Sequence, residues 1–221
     1  YVGDFLVVLV VVLPLLAALP RLVRQAEWAW APLSGVLTQA TGILALSTFL
    51  AAAMLSARIP RLDRWFGGLV RIWHFHRLLG VSAFLLVLLH VLLLALAALP
   101  LSPQASVSSL FPPLAQWEVW AGWIALALMV AFIAPTFNLF GVLNYQRWKR
   151  LHLLPAPALV VALVHGLMFA PAASLWWLLS LLALGAIVWR KGISPFIARK
   201  PYRVEGVDSL ARDVVELKLA P

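Results

Sequence analysis

Long apolar stretches recur along the chain, and short segments rich in proline, glycine and charged residues separate them. A run of about 20 apolar residues is long enough to cross the hydrocarbon core of a bilayer as a helix. Helices are expected because backbone polar groups in lipid must be paired internally. The pattern predicts an all-α membrane protein, a six-transmembrane-helix bundle with helices at residues 4–20, 34–57, 69–99, 118–139, 153–170 and 175–190.

The last residues, 201–221, follow a different pattern. Apolar and charged side chains alternate over residues 215–219, which is the period of a half-buried β-strand. We expect a short β-hairpin with a polar turn at residues 208–213. An isolated hairpin is barely stable in water, so the tail is expected to begin a truncated soluble domain. We therefore divide the chain into a transmembrane domain, residues 1–192, and a linker with the first strands of the soluble domain, residues 193–221.

The composition supports membrane insertion and limits the possible chemistry. Hydrophobic residues make up 64% of the 221 residues and charged residues 11%. Soluble domains carry about 25% charged residues. The chain contains no cysteine. This excludes cysteine-ligated iron–sulfur clusters, thiolate-ligated haem, covalently attached c-type haem and disulfides within the chain.

Lysine and arginine alternate between the two ends of the predicted helices. Five lie around the second connection, three before the fifth helix and four after the last helix, whereas two follow the first helix. The positive-inside rule places the twelve on the cytoplasmic side, so the third and fifth helices both run outward. We expect a multi-pass protein of a bacterial cytoplasmic membrane with a cytoplasmic C-terminus. The net charge of +9 then reflects topology and anionic lipid headgroups, and no nucleic-acid partner is needed.

Tryptophans mark both membrane interfaces in this topology, since Trp is enriched at the headgroup level. The sequence predicts an outer belt of Trp28, Trp30, Trp117, Trp120, Trp176 and Trp177. It predicts an inner belt of Trp65, Trp73, Trp148 and Trp189. The simplest role for these side chains is anchoring in the bilayer.

Five histidines lie in or beside two of the predicted helices, and an ionisable residue at membrane depth is by default a functional-site hypothesis. In the third helix, His76 and His90 are 14 residues apart. That spacing is about 21 Å of helical rise and about 40° short of four full turns, so both side chains point to nearly one face. His74 is nearly half a turn out of phase with His90, and we interpret it as an interfacial residue.

In the fifth helix, His152 and His165 are 13 residues apart, about 20 Å along an ideal helix. Their phase is poor, about 140° away from one common face. Pro155 and Pro157 follow His152, and proline is tolerated only in the first turn of a regular helix. Either the helix is kinked or His152 lies just before its regular start, and both would redirect the imidazole.

Because both helices run outward, His76 and His152 are expected at one depth near the cytoplasm, and His90 and His165 at a second depth nearer the outside. Two facing imidazoles at each depth suit bis-histidine haem iron. We predict two b-type haems with these four histidines as metal ligands. A single intramembrane histidine is more often a structural polar residue. Zinc is the alternative metal, but it requires four ligands around one ion, and here four lie at two levels.

Basic residues near the inner level are candidates for binding haem propionates, because arginine makes bidentate pairs with carboxylates. The candidate cofactor-binding residues are Arg77 and Arg150, with Arg71 and Lys149 at the same level. The alternative is that these cations only reflect the positive-inside topology.

The stretches HFHRLLGVSAFLLVLLH and LHLLPAPALVVALVH resemble the paired-histidine helices of the ferric reductase-like transmembrane domain family, which includes ferric reductases and NADPH oxidases. The histidine spacings and the run of His76, Arg77 and Gly80 match that family, and the stretch GILALSTFLAAAMLSARIP also resembles it. The tail YRVEGVDSLARDVVELKLAP resembles the opening strands of the ferredoxin-reductase-type FAD domain that follows in many members.

The resemblance implies an oxidoreductase that moves electrons across the membrane. Cytoplasmic NAD(P)H would reduce FAD, and electrons would pass to the inner haem, the outer haem and an external acceptor, either ferric iron or oxygen. The sequence contains no GxGxxG nucleotide loop and no complete flavin site. The chain would therefore be the haem-bearing membrane part, with FAD and NAD(P)H bound by the missing cytoplasmic domain.

Two positions depart from the family. Leu94 lies where some oxidases have another histidine, which argues against dedicated superoxide production. Ala158 lies where many members have an aromatic residue, which leaves the path between the haems unassigned.

Two other functions compete with this interpretation. A quinone-linked diheme membrane subunit of a separate redox enzyme would also use paired histidines, but the FAD-like tail favours the flavin-fed reductase. A non-redox bundle such as a transporter would be expected to show broken helices in related halves, and the sequence has no such internal repeat.

Overall fold

The computed structural model describes residues 1–25, 30–57, 59, 62–137, 144–170, 173–197, 202–212 and 214–220. In chain order its helices are α1 (Val2–Gln25), α2 (Trp30–Leu55), α3 (Leu62–Phe66), α4 (Leu69–Ala98), α5 (Pro103–Leu110), α6 (Trp117–Ile133), α7 (Tyr145–Leu151), α8 (Pro155–Phe169), α9 (Ala173–Val188) and α10 (Ser194–Ile197). A 3₁₀ turn, Ala134–Phe137, extends α6, and a π-helical turn, Trp189–Ile193, joins α9 to α10. The strands are β1 (Arg203–Ala211) and β2 (Val214–Ala220).

Six helical segments among the described residues are long and apolar enough to cross a membrane. They correspond to α1, α2, α4, α6, the α7–α8 segment and α9 with its extension. The protein is therefore a multi-pass helical membrane protein, and the predicted six-helix bundle is confirmed. The short helices α3 and α5 were not predicted; they lie in the connections that the hydrophobic pattern left open.

The fifth membrane segment is interrupted where the sequence left two interpretations open. Helix α7 ends at Leu151, His152 is its C-terminal cap, and α8 begins with Pro155 in its first turn. Proline is suited to that position because the first helical N–H groups have no intrahelical acceptor. His152 thus lies before the regular start of α8, and the second interpretation is confirmed.

The starts of α1 and α4 lie together, which fixes the relative direction of these two membrane helices. Arg71 at the start of α4 donates a hydrogen bond to Asp4 at the start of α1, at 2.5 Å, and its guanidinium lies over the Tyr1 ring. Gly67, with φ of 74°, precedes α4 where an added Cβ would lie 2.7 Å from that same ring. The first and third membrane helices therefore run in the same direction, as the alternation of charge predicts.

Helix α2 is the central element, packing against α1, α4, α8 and α9, while α6 packs against α8. The main core cluster includes Leu50, Met129, Leu159 and Ala183. Trp176 belongs to it and is 1% exposed, so its predicted place in the outer interfacial belt is wrong. Its indole packs in the main core cluster, where a tryptophan side chain buries a large apolar area. Belt residues Trp28 and Trp30, like Arg58, Arg61, Arg199 and Lys200, have side chains outside the described residues.

The tail forms the predicted hairpin, with β1 and β2 paired antiparallel. The predicted turn at residues 208–213 is wrong in extent, because residues 208–211 belong to β1. Asp208 pairs with Glu216 across the ladder and its carboxylate bonds the ammonium of Lys218 at 2.7 Å, which keeps it in the strand. The register shifts on either side of this region, between Val204 and Gly206 and again before Ala211. The division of the chain into a membrane domain and a flavin-domain start stays a prediction.

Candidate functional site

The structure brings the four predicted histidines together as two facing pairs. His76 of α4 faces His152, with ring centroids 6.2 Å apart and ring planes at 73°. His90 of α4 faces His165 of α8, with centroids 6.5 Å apart and planes at 75°. We call these the inner pair and the outer pair. Along α4 the two pairs are 14 residues apart, about 21 Å of rise, so they occupy separate levels of the bundle.

In the outer pair, each imidazole is held by a backbone carbonyl of a neighbouring helix. His90 Nδ1 lies 2.8 Å from the Thr38 carbonyl oxygen of α2, and His165 Nδ1 lies 2.7 Å from the Glu118 carbonyl oxygen of α6. A carbonyl oxygen only accepts, so Nδ1 donates its proton and Nε2 keeps a free lone pair. This is the arrangement that metal-binding histidines ordinarily have, with the second nitrogen fixing ring orientation and tautomer.

A glycine lies one helical turn after each of these carbonyls and makes the hydrogen bonds possible. A Cβ at Gly42 would lie 3.0 Å from Cε1 and Nδ1 of His90, and a Cβ at Gly122 would lie 3.0 Å from the same two atoms of His165. A side chain at either position would cover the carbonyl of the preceding turn. Sequence reasoning missed both residues, although an isolated glycine in an apolar helix is a signal for close packing.

The inner pair is held differently on its two sides. His76 Nδ1 lies 2.8 Å from the Ala52 carbonyl oxygen of α2, so it has the same support as the outer histidines. His152 Nδ1 is buried and has no hydrogen-bond partner within the described part of the chain. Aromatic rings contact it instead: Trp148 stacks on it with centroids 4.8 Å apart and planes at 18°, and Phe132 meets it edge-on at 6.2 Å. Stacking, rather than a hydrogen bond, therefore orients this imidazole.

The outer pair lines an apolar cavity of about 360 Å³. Ligand sites in proteins commonly have volumes of about 300–1,000 Å³ and largely apolar linings. The lining comes from α2, α4, α5, α6, α8 and α9 and includes Gly42, Phe49, Val87, Leu94, Gly122, Trp123, Met129, Ala162 and Trp176. Trp123 and Trp176 are lining residues that sequence reasoning did not assign to the site.

Helix α5 contributes to the wall of this cavity. Ser109 and Leu110 line the cavity, and the Trp123 indole Nε1 donates to the Leu110 carbonyl oxygen at 2.7 Å. Phe111 stacks on Trp123 with centroids 5.0 Å apart, and Ser106 bonds the α4 backbone at Ala95 at 2.8 Å. Helix α5 is therefore held against α4 and α6 where it forms part of the cavity wall.

The predicted cofactor-binding arginines lie at the surface of the bundle and do not line the cavity. The side chains of Arg77 and Arg150 are exposed. Their role toward a cofactor stays a prediction. Arg71, which lies at the same level, is engaged by Asp4. His74 is exposed and is not brought to the inner pair, as its helical phase predicts.

The residues present fit a haem better than a bare metal ion. A metal that bonds a histidine nitrogen at about 2 Å on each side holds the two ring centroids roughly 6 Å apart, which both pairs match. Among the described residues, no group of three or more His, Asp and Glu side chains converges on one point. Each pair thus offers two axial ligands, and the remaining ligands must come with the metal, as they do in haem. Gly80, one turn after His76, has nothing within 4 Å of its Cβ position among the described residues.

These features define a helical membrane protein with two levels of paired histidines in its interior. Its sequence matches the family described as ferric reductase like transmembrane component over residues 41–163, more than half of the chain. The chain belongs to this family, which confirms the predicted resemblance; membership implies an oxidoreductase and suggests electron transfer across the membrane. The match contains His76, His90 and His152 and ends two residues before His165. No curated protein matches the sequence.

Proposed function

We propose that the chain carries electrons across the membrane through two b-type haems, one held by the inner pair and one by the outer pair. The observation that supports this most directly is the pairing itself. Two facing imidazoles occur at each of two levels, and three of the four rings donate from Nδ1 to a backbone carbonyl. A structural histidine needs neither a facing imidazole nor a second ring nitrogen left free for a ligand.

When bound, each haem supplies a centre that gains and loses one electron. The protein's own residues determine where that centre lies and what surrounds it. The carbonyl bonds at His76, His90 and His165 occupy Nδ1, leave Nε2 free to bind a metal and increase its basicity as a ligand. The apolar lining of the outer cavity excludes water, and low polarity around a haem is one of the means by which a protein sets its reduction potential.

We propose a reduced flavin, fed by NAD(P)H, as the donor on the cytoplasmic side and ferric iron or oxygen as the external acceptor. Support for the donor comes from the tail, whose hairpin sequence resembles the opening strands of a ferredoxin-reductase-type FAD domain. The exposed cations Arg77 and Arg150 near the inner pair suit haem propionates, because arginine forms strong bonds with carboxylates. On the outer side, the loops around α5 carry no lysine or arginine, and Leu94 lines the cavity as an apolar residue.

The proposal is tested by counting haems in histidine variants of the purified protein. Pyridine haemochrome analysis should give two haems per chain in the parent protein. His90→Leu and His165→Leu should each leave one haem, and His76→Leu and His152→Leu should each leave the other, with a different midpoint potential. His74→Leu is the matched control: it removes an exposed imidazole from the same helix and should leave both haems.

Two results would contradict the proposal. One is a parent protein that folds, melts cooperatively and binds no haem. The other is a pattern in which His90→Leu and His76→Leu remove the same haem, because the pairing by level would then be wrong. Electron transfer is tested separately in proteoliposomes with dithionite inside and a ferric chelate or oxygen outside. Haem reduced from within should be reoxidised by the external acceptor.

A further inference from the structure

Two buried aromatic rings lie between the inner pair and the outer cavity. The Phe132 ring of α6 meets the His152 imidazole edge-on, with centroids 6.2 Å apart and planes at 89°. The Phe49 ring of α2 stacks on Phe132, with centroids 6.4 Å apart and planes at 25°. Phe49 also lines the cavity that His90 and His165 line. Ring contacts therefore lead without interruption from an inner histidine to the outer cavity.

The positions of Phe49 and Phe132 along their helices also place the two rings between the inner and the outer pair. On α2, Phe49 lies seven residues after Gly42 and three before Ala52, about 10 Å and about 5 Å along the axis. Gly42 contacts the outer pair, and the Ala52 carbonyl bonds the inner pair. On α6, Phe132 lies ten residues after Gly122, about 15 Å toward the inner level. Phe132 thus lies near the inner depth, and Phe49 lies between the two levels.

Both rings are fixed by packing. Phe49 and Phe132 are each 7% exposed and belong to the main core cluster together with Leu159 and Ala158. Ala158, on α8 between the two histidine levels, is 0% exposed. Its methyl group is fully enclosed by its neighbours. Residues 153–164 contain no aromatic side chain, so α8 contributes no ring between the two histidine levels. The aromatic side chains come from α2 and α6 instead.

We propose that Phe49 and Phe132, the bridging phenylalanines, form the medium through which an electron passes from the inner to the outer level. This inference rests on the proposed function and adds the route. One electron would leave a haem held by the inner pair, which would be oxidised, and would reach a haem held by the outer pair, which would be reduced. No covalent bond forms or breaks, and no proton has to move, since phenylalanine has no ionisable group. Contacting π systems couple the two levels more strongly than the aliphatic side chains around them.

The absence of cysteine allows the electron to be injected at one place. Tyr145 on α7 is 65% exposed and begins the helix that ends at His152. A ruthenium photoreductant attached through Tyr145→Cys would be the single label on the chain. The proteoliposomes carry excess ferricyanide outside and a sacrificial electron donor inside. A laser flash transfers an electron from the excited ruthenium to the inner level, and the donor rereduces the oxidised ruthenium before the electron can return. The decay of the reduced-haem absorbance then reports passage to the outside.

Four variants in the Tyr145→Cys background separate the role of the rings from a general effect on the core. Phe132→Leu and Phe49→Leu each remove one bridging ring and should slow the decay. Phe132→Tyr keeps the ring and should restore the parent decay. Phe84→Leu is the matched control: it removes a partly buried phenylalanine that lies on α4 between the two histidines and has no ring contact with another described aromatic residue.

Equilibrium measurements distinguish a route from a structural effect. Phe49 lines the outer cavity, so haem content and both midpoint potentials are measured in every variant. The route predicts that Phe49→Leu and Phe132→Leu slow the decay by more than any measured change in haem content or driving force accounts for. In the haem-free protein, the decrease in melting temperature for Phe49→Leu plus Phe132→Leu should be smaller than the two single decreases added, because the rings contact each other.

Three outcomes would overturn the inference. Decay in Phe49→Leu equal to that in Phe84→Leu would exclude the route although electrons still cross. A slower decay in Phe49→Leu that loss of haem or a shifted midpoint potential fully accounts for would show a packing role instead. If the labelled parent protein lacks two haems or its signal does not decay, the proposed function itself fails, and the route fails with it.

Discussion

A methyl group added at Gly42 should disturb the outer pair although no predicted ligand is replaced. In Gly42→Ala the new Cβ would lie 3.0 Å from Cε1 and Nδ1 of His90, closer than ordinary van der Waals contact. Either the imidazole shifts and weakens its 2.8 Å bond to the Thr38 carbonyl, or α2 and α4 move apart. Gly122→Ala should do the same to His165, where the Cβ distances are also 3.0 Å.

The change in the free energy of unfolding combines two destabilising contributions and one stabilising contribution. Overpacking of a core by one methyl group costs about 1–3 kcal/mol. A weakened hydrogen bond adds about 0.5–1.5 kcal/mol. Replacing glycine by alanine inside a helix favours the folded state by about 0.5–1 kcal/mol. The net expectation is a loss of roughly 1–3 kcal/mol in the free energy of unfolding, which in a chain of this length is a decrease of about 2–12 °C in melting temperature.

Gly35→Ala is the matched control, because it lies on the same helix and nothing lies within 4 Å of its Cβ position among the described residues. It should leave the melting temperature equal or raise it slightly. Melting is followed in detergent without haem, and haem binding is then titrated. Loss of support for a metal-binding histidine typically lowers metal affinity about 10–100-fold, and only the outer level should show it. Equal melting and equal haem titration in Gly42→Ala and Gly35→Ala would refute the reasoning.

Three further changes test other parts of the structure. Ser47→Ala removes a buried hydroxyl that bonds an α1 carbonyl at 2.9 Å, and it should lower the free energy of unfolding by about 1 kcal/mol in thermal melts. Ser56→Ala should cost less, because among the described residues its hydroxyl bonds only the Ala53 carbonyl in the last turn of α2. Gly80→Ala should leave the melting of the haem-free protein unchanged, because nothing lies within 4 Å of its Cβ position among the described residues. It should lower inner-haem binding, because Gly80 lies one helical turn after His76 and its Cβ would contact a haem bound there; unchanged haem binding would count against a haem beside the inner pair. Asp4→Asn should cost at most about 1 kcal/mol, measured by melting with and without salt, since the partly exposed pair with Arg71 is screened by solvent.

The membrane helices and the two histidine levels were predictable because they depend on properties that act along one helix. The length of each apolar stretch predicts a membrane helix, and the helical rise per residue predicts the distance between His76 and His90 along the helix. The distribution of lysine and arginine between the two ends of the helices predicts the direction of each helix. These arguments need no knowledge of which helices are neighbours.

The supports of the histidines could not be predicted, because they depend on contacts between helices. The Thr38, Ala52 and Glu118 carbonyls act through the backbone, so their residue types carry no signal. Trp176 is a residue whose type did carry a signal, but the prediction from that signal was wrong. Its place at a helix end predicts an interfacial anchor, but the packing of α9 against α2 turns it inward, where it is 1% exposed.

The poor helical phase of His152 and His165 is accounted for by the local hydrogen bonds around His152. An ideal helix turns about 100° per residue, and thirteen residues leave the two side chains about 140° apart. The backbone N–H groups of Leu153, Leu154 and Ala156 bond the carbonyl three residues earlier instead of four. Such bonding turns the chain about 120° per residue, so these residues add roughly 60° in the direction that closes the gap. The bend between α7 and α8 supplies the remainder, and Pro155 maintains it because its ring leaves no N–H to continue α7. The same break deprives His152 of a carbonyl partner on a neighbouring helix, which is why aromatic stacking orients this one of the four histidines.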